Sequence, residues 1–501
     1  MSSTVTRPSE ALVAAKNAVT LGSSLLLTAG MSLVIRLLIP RFLGPSAFGE
    51  LRLAESFAEM LFVVLTFGVD MQLRREAALD ATRARRYLSG LAVLRAAIGA
   101  AAIGVMVIVL RAIGSSDHAV RLFVLVAIAQ TLLVLNNSYA ALEHASGHVT
   151  WLARANFAAK LTWVAAMIAV LTQAASAEAI VLGTLAIEAL RFAWFTGRAV
   201  RHHGLSTRPD LGLAVGAVTS SLPFFVNDVA HNLYGRIGTG WLSAVCGQVE
   251  VGLYGAAAGL ASIALFGMPL LSWVLVPSTA RAASNSDEER DHLVTGALRL
   301  ALLVGVPFAV AFHLAAPLCL QLLVGPDYLA AAPVLRIMAP TVGLAYLSTV
   351  CAIGLIQRGR TWTVATISLA GVALTALFNA LLIPWGARTL GAAGGAQGAA
   401  WATLATEILV TLALGVLNRA SWLDGRLLRT AVALVGGLAA VVTAIHMVPA
   451  EGVAPFAAGL AAFATAVIAI GGVDRDDLAF CRNLFSRTRH QSPGALVPEA
   501  S

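Results

Sequence analysis

Apolar runs of about 20 residues, the length a helix needs to cross a hydrocarbon core, recur from one end of this chain to the other. Fourteen are readable, centred near residues 30, 60, 100, 130, 163, 187, 225, 263, 305, 345, 373, 405, 438 and 462. Lipid supplies no hydrogen bonds, so each run must satisfy its own backbone, and none shows the alternation of a membrane-barrel strand. The runs are therefore read as helices. Composition agrees, since 12% of the 501 residues are charged against about 25% in an ordinary soluble domain. The sequence predicts an all-α polytopic membrane protein with about 14 transmembrane helices.

Arginine sets the orientation. Arg74, Arg75, Arg83, Arg85 and Arg86 follow the second run, Arg198, Arg201 and Arg208 the sixth, Arg281 and Arg290 the eighth. Arg358 and Arg360, then Arg419, Arg426 and Arg429, then Arg482, Arg487 and Arg489 fall on the same side, whereas the alternate loops hold only scattered cases such as Arg41, Arg111 and Arg388. The positive-inside rule places both termini in the cytoplasm. Topology thereby accounts for the net charge of +8, and with no basic domain or aromatic platform no nucleic-acid partner is expected. Residues 1–19 are polar, and the run after them continues to Pro40, longer than the roughly 7–15 residues of a cleaved signal; a retained anchor is expected. Cys246, Cys319, Cys351 and Cys481 form no paired motif and are read as unpaired thiols. Lysine occurs only at 16 and 160 among 34 basic residues, and with abundant alanine this points to a bacterium with a GC-rich genome.

The chain also repeats itself. LGPSAFGEL at 43–51 aligns with CGQVEVGLY at 246–254, matching Gly44 and Gly49 to Gly247 and Gly252 at an offset of 203. SGHVTW, ending at Trp151, matches RGRTW, ending at Trp362, with Gly147 and Gly359 aligned at an offset of 212, and GTLAIE, ending at Glu188, matches ATLATE, ending at Glu407, at an offset of 219. Three matches in order at slowly rising offsets indicate two homologous halves. The expected division is a cytoplasmic segment 1–19, six helices over 20–200, a basic linker 201–210, six helices over 211–420, two appended helices over 421–473 and a disordered cytoplasmic tail 474–501. An even number of spans per half makes the repeats parallel, related by a pseudo-twofold axis along the membrane normal with a cavity between them.

Charges inside the spans mark where that cavity should be, because a membrane-embedded charge needs a partner or a wet surface. Arg52, Glu55 and Glu59 fall at i, i+3 and i+7, one stripe on an otherwise apolar helix. Asp228, His231, Asn232 and Arg236 share a helical face in the seventh run, which opposes the first run and its Arg36. These eight residues are the candidate substrate-binding set. Ion pairing without function is the competing reading, as it is for Arg95, Lys160, Glu188, Arg191, Arg299, His313 and Glu407. No His-Glu-x-x-His, phosphate-cradling loop or nucleophile elbow is present, so no enzyme, metal or cofactor is expected. GGAQG at 394–398 reads as the turn that begins a helix.

RFLGPSAFGELRLAESF, from Arg41, resembles the hallmark segment of the polysaccharide and lipid-linked oligosaccharide flippases of the MOP exporter superfamily. VEVGLYGAAAGL from Val249, LLVGPDYLAAAPVLRIMAP over 322–340 and NALLIPWGARTLGAAGGAQGAAWAT from Asn379 resemble its later segments, so that the likeness spans about residues 15–420. The resemblance implies two six-helix lobes, alternating access, and a substrate made of a sugar chain on a polyprenyl pyrophosphate, moved across the bacterial cytoplasmic (inner) membrane. It implies no cofactor, a coupling ion that is H+ or Na+, and work beside a polymerase and glycosyltransferases in exopolysaccharide, O-antigen or capsule synthesis. Arginine suits the phosphates through its planar fork of donors. Two alternatives stand beside it: a drug or cation antiporter of the same superfamily, and a non-transporting scaffold for polymer assembly.

Overall fold

The computed structural model describes residues 8–66, 81–203 except 113, 147 and 174, 236–268, 286–418, 424–447 and 454–473, with isolated residues between 212 and 282. Thirteen α-helices are formed among them. They are α1 (Pro8–Thr66), α2 (Ala81–Ala112), α3 (Asp117–Ala145), α4 (Val149–Gln173), α5 (Ala177–His203), α6 (Ile237–Cys246) and α7 (Gln248–Ala264). The remainder are α8 (Asp287–Cys319), α9 (Ala332–Gln357), α10 (Thr361–Thr389), α11 (Gly394–Leu417), α12 (Gly425–Met447) and α13 (Ala454–Ala469). Eleven are long and apolar enough to cross a membrane.

The first two apolar runs form two helices that follow one another across a sharp kink, with a single non-helical residue between them. They are the two arms of α1, which meet at Gly44 with φ 73° and ψ 169°, a conformation open to glycine and costly for residues with a Cβ. The chain is redirected at one residue between Pro40 and Pro45. Gly247, its sequence counterpart, separates α6 from α7 with φ 84° and ψ −175°. The centre of the seventh run near 225, the 201–210 linker beyond His203 and the 474–501 tail lie outside the described residues.

Helices α1 to α5 form one bundle, with α1 against α3, α4 and α5, and α3 against α5. A second bundle is built by α8 on α9, α10 on α11, and α9 on α7 and α11, with α6 against α10. The α12–α13 pair is appended to α8 through Val310, Leu434, Val441, Phe463 and Val467. Outward faces are apolar, with Ile108 70% and Val416 68% exposed, as suits side chains bathed in lipid rather than water. Polar chemistry collects at helix ends. Ser286 caps α8 by accepting from the Glu289 N–H, and Asp291 receives Arg358 from the far end of α9 at 2.7 Å.

The two bundles touch at the Gly44 end. A Cβ on Gly49 would lie 1.9 Å from the Gln248 carbonyl oxygen, and one on Gly252 would lie 1.9 Å from that of Pro45. Positions 45 and 248, and 49 and 252, are related by the repeat offset of 203, so each contact is the image of the other and a local twofold axis passes between them. The Tyr328 hydroxyl donates to Pro40 O at 3.0 Å, Arg41 donates to Leu322 O at 3.3 Å, and the Phe48 and Tyr328 rings meet edge to face. These bonds join α1 to the segment linking α8 with α9.

Candidate functional site

Beyond this seam a cleft opens between the bundles. One part, about 200 Å³, is lined by Arg36 of the first arm of α1, by Arg52, Glu55 and Glu59 of the second arm, and by Arg236. The wall opposite is the small-residue face of α7, with Gly255, Ala258, Gly259 and Ser262. The three-and-four spacing of the second arm thus aims its polar stripe between the bundles, while Phe48 and Leu51 pack beside it. A second part, about 290 Å³, shares Arg52 and Arg236 and extends past α7 toward α9 and α11.

The charges are arranged in pairs with one left over. Arg52 binds Glu55 on its own helix at 2.5 Å, and Arg236 binds Glu59 across the bundles. Arg36 has no anionic partner among the described residues and is exposed to the cleft. Arg236 lies in the positive field of both Arg52 and Arg36. Three guanidinium groups on separate segments therefore face a common volume that holds two carboxylates, an arrangement with room for one more anion.

Five of the eight sequence candidates meet in this cleft: Arg36, Arg52, Glu55, Glu59 and Arg236. Asp228 and His231 lie outside the described residues, and Asn232 is half-buried and lines neither cavity. Arg236 is the N-cap of α6, with φ −126° and ψ −20°, and so stands at a helix end.

The other embedded charges are held by protein groups. Arg95, fully buried, donates to Leu65 O at 2.8 Å and to Ser138. Glu188 accepts from Asn136 at 2.8 Å and pairs with Arg191 at 3.5 Å, and Lys160 sits 4.2 Å over the Trp163 ring in the field of Glu188, Arg36 and Arg191. Arg299 donates to Thr430 of α12 at 3.2 Å, and His313 lies 3.3 Å from Arg336 O. Glu407, the repeat mate of Glu188, lines the larger cavity. Sequence reasoning missed its neighbours there, Tyr254, Thr341, Ser348 and Thr403. The signal available was the i, i+4 spacing of Thr403 and Glu407 on an apolar helix. Neutral hydroxyls are common in membrane helices and do not announce a cavity as charges do.

A sequence model of the polysaccharide biosynthesis protein family matches residues 38–333, more than half of the chain and the part that carries all five cleft charges except Arg36. The chain belongs to the polysaccharide biosynthesis protein family. Among solved structures, this family member is similar to the lipid II flippase MurJ in an inward closed conformation, with a TM-score of 0.68 and 13% identity over 90% of this chain and 99% of that one. It is also similar to an inward-facing multidrug resistance MATE family transporter of the MOP superfamily, with a TM-score of 0.59 and 14% identity over 79% of this chain and 96% of that one. A Vibrio cholerae MATE transporter matches with a TM-score of 0.51 and 14% identity, over 82% and 98% of the two chains. At such identities the likeness is one of fold. A search of curated proteins gave no match.

Proposed function

We propose that this protein flips a polyprenyl-pyrophosphate-linked oligosaccharide across the bacterial cytoplasmic membrane by alternating access, in the synthesis of a surface polysaccharide. The observation that carries the reading is the convergence of Arg36, Arg52 and Arg236 on one cleft with two carboxylates. A pyrophosphate cannot enter lipid unaided, because moving charge into hydrocarbon is costly, whereas a polyprenyl tail is at home there. Guanidinium forks meet the phosphate oxygens, and Glu55 and Glu59 hold Arg52 and Arg236 in place between turnovers. Among the described residues the smaller part of the cleft holds three arginines against two carboxylates, which disfavours a cationic cargo there.

Membership of a polysaccharide biosynthesis family and the fold shared with a lipid II flippase support the same reading. On the orientation given by the positive-inside rule, the Gly44 end faces outward, so the seam there closes the external side and the cleft receives its cargo from the cytoplasm. H+ or Na+ coupling through the cleft carboxylates completes the proposed cycle. Reconstituted vesicles containing a labelled polyprenyl-pyrophosphate sugar test it: wild type should move the label across the bilayer, and the Arg36→Ala, Arg236→Ala double variant should not. Full transport by that variant would overturn the phosphate site.

A further inference from the structure

A second group of charges lies inside the first bundle and lines neither part of the cleft. Lys160 stands near the middle of α4, and Glu188 and Arg191 near the middle of α5. Glu188 is engaged twice: Asn136 of α3 donates to its carboxylate at 2.8 Å, and Arg191 pairs with it at 3.5 Å. Asn156 of α4 holds Arg191 in turn at 2.9 Å. Lys160 makes no ion pair or hydrogen bond with a described residue. Its ammonium rests 4.2 Å over the Trp163 ring, whose N–H donates to Thr184 of α5 at 3.2 Å. The charges whose field it feels are Glu188, Arg36 and Arg191. With Arg36 the group counts three cations and one carboxylate, and that carboxylate is already shared.

An embedded charge is costly until a counter-charge or a wet surface answers it. Lys160 has no described carboxylate to itself, and Arg36, in the same field, has no anionic partner among the described residues either. The unspent charge of both points to an anion that arrives from outside the chain. We infer that Lys160 and Glu188 tune the anion site from a distance: the surplus charge of the group acts through the protein on a pyrophosphate held at Arg36 and sets how tightly the cleft keeps it. The inference rests on the phosphate reading of the cleft. Coulomb attraction needs no contact and is weakly screened where water is excluded. Lysine suits the role, because an ammonium acts as a point charge whereas a guanidinium fork is built for contact. Of the 34 basic residues two are lysine, and one of them stands here. Glu188 offsets part of the positive charge, so Lys160 and Glu188 act on a bound anion in opposite directions.

The test uses the purified full-length protein in lipid nanodiscs, titrated with farnesyl pyrophosphate and with farnesyl monophosphate. Lys160→Met should weaken pyrophosphate binding about three- to tenfold, the size of a unit charge acting through protein rather than in contact, and Lys160→Arg should hold the wild-type affinity. Glu188→Gln should tighten binding by a similar factor. The double Lys160→Met, Glu188→Gln variant has the wild-type net charge and should return close to the wild-type affinity. Each change should be smaller for the monophosphate, since Coulomb energy scales with the charge of the ligand. A packing role predicts a different pattern: weaker binding in both single variants, weaker still in the double, and equally so for both probes. That pattern, or unchanged affinity in the single variants, would overturn the inference, while weaker binding by Arg36→Ala in the same titrations would leave the phosphate site standing. Glu188→Gln carries the test even where Lys160→Met does not fold, because only a charge effect predicts a gain. Failure of wild type to bind either probe removes the phosphate reading itself.

Discussion

Arg36 and Arg236 illustrate how differently two arginines in one cleft can be placed. Arg36 has no anionic partner among the described residues, so on the proposed reading a phosphate meets it without first displacing one of the described carboxylates. Arg36→Ala should weaken binding of farnesyl pyrophosphate by about 10- to 100-fold, the usual worth of charged hydrogen bonds, and Arg36→Lys should recover part of it, since the point charge survives and the fork does not. Titration in nanodiscs measures both. Arg236 instead holds Glu59, each about a quarter exposed. Removing one member of such a pair strands the other, at a cost of about 1–3 kcal/mol. Glu59→Gln should therefore lower the thermal midpoint, and adding Arg236→Gln should restore most of that loss without restoring transport. If the double variant melts no higher than Glu59→Gln, the pair is not what stabilises this wall.

At the scale of elements, the seam between the second arm of α1 and α7 depends on two glycines. Gly49 and Gly252 let the segments approach until a Cβ on either would lie 1.9 Å from a backbone carbonyl oxygen. A backbone cannot swing aside as a flexible side chain can. Gly49→Ala and Gly252→Ala should each part the bundles at this end, with similar effect because the two contacts are images of one another. Spin labels at positions 42 and 329, exposed residues on either side of the seam, should report a longer distance in both variants. An unchanged distance distribution would show that the seam yields elsewhere.

For the whole molecule, the proposed alternating access would require this seam to open. Arg41 and Leu322 are joined across it by a hydrogen bond from side chain to backbone. A double Arg41→Cys, Leu322→Cys variant joined by a bifunctional methanethiosulfonate of arginine-like reach should lose transport and regain it on reduction; full transport in the cross-linked state would refute a moving seam. Orientation has its own measurement. Cysteines introduced at 201–203 should resist an impermeant reagent in intact cells, and cysteines at 114–116 should react. The opposite pattern would invert the molecule in the membrane and place the open end of the cleft outside.

The class of this protein was legible in its sequence because lipid imposes a rule that acts locally: each span must be apolar and helical by itself, so run length suffices without knowledge of neighbours. The stripe of Arg52, Glu55 and Glu59 was legible for the same reason, since helical periodicity alone fixes which residues share a face. Two kinds of feature were not. Gly44 and Gly247 were aligned as repeat positions, yet that the chain turns on Gly44 without a loop depends on its φ, which any glycine is free to take or leave. Arg236 was assigned to a helical face, and the structure makes it the cap of α6. Above all, the hydroxyls of Thr341, Ser348 and Thr403 acquire meaning only when α7, α9 and α11 assemble around one cavity, because a neutral group that bonds its own helix is equally content facing lipid, a neighbour or a ligand. A charge must declare its surroundings in the sequence, whereas a hydroxyl waits for the tertiary structure to supply them.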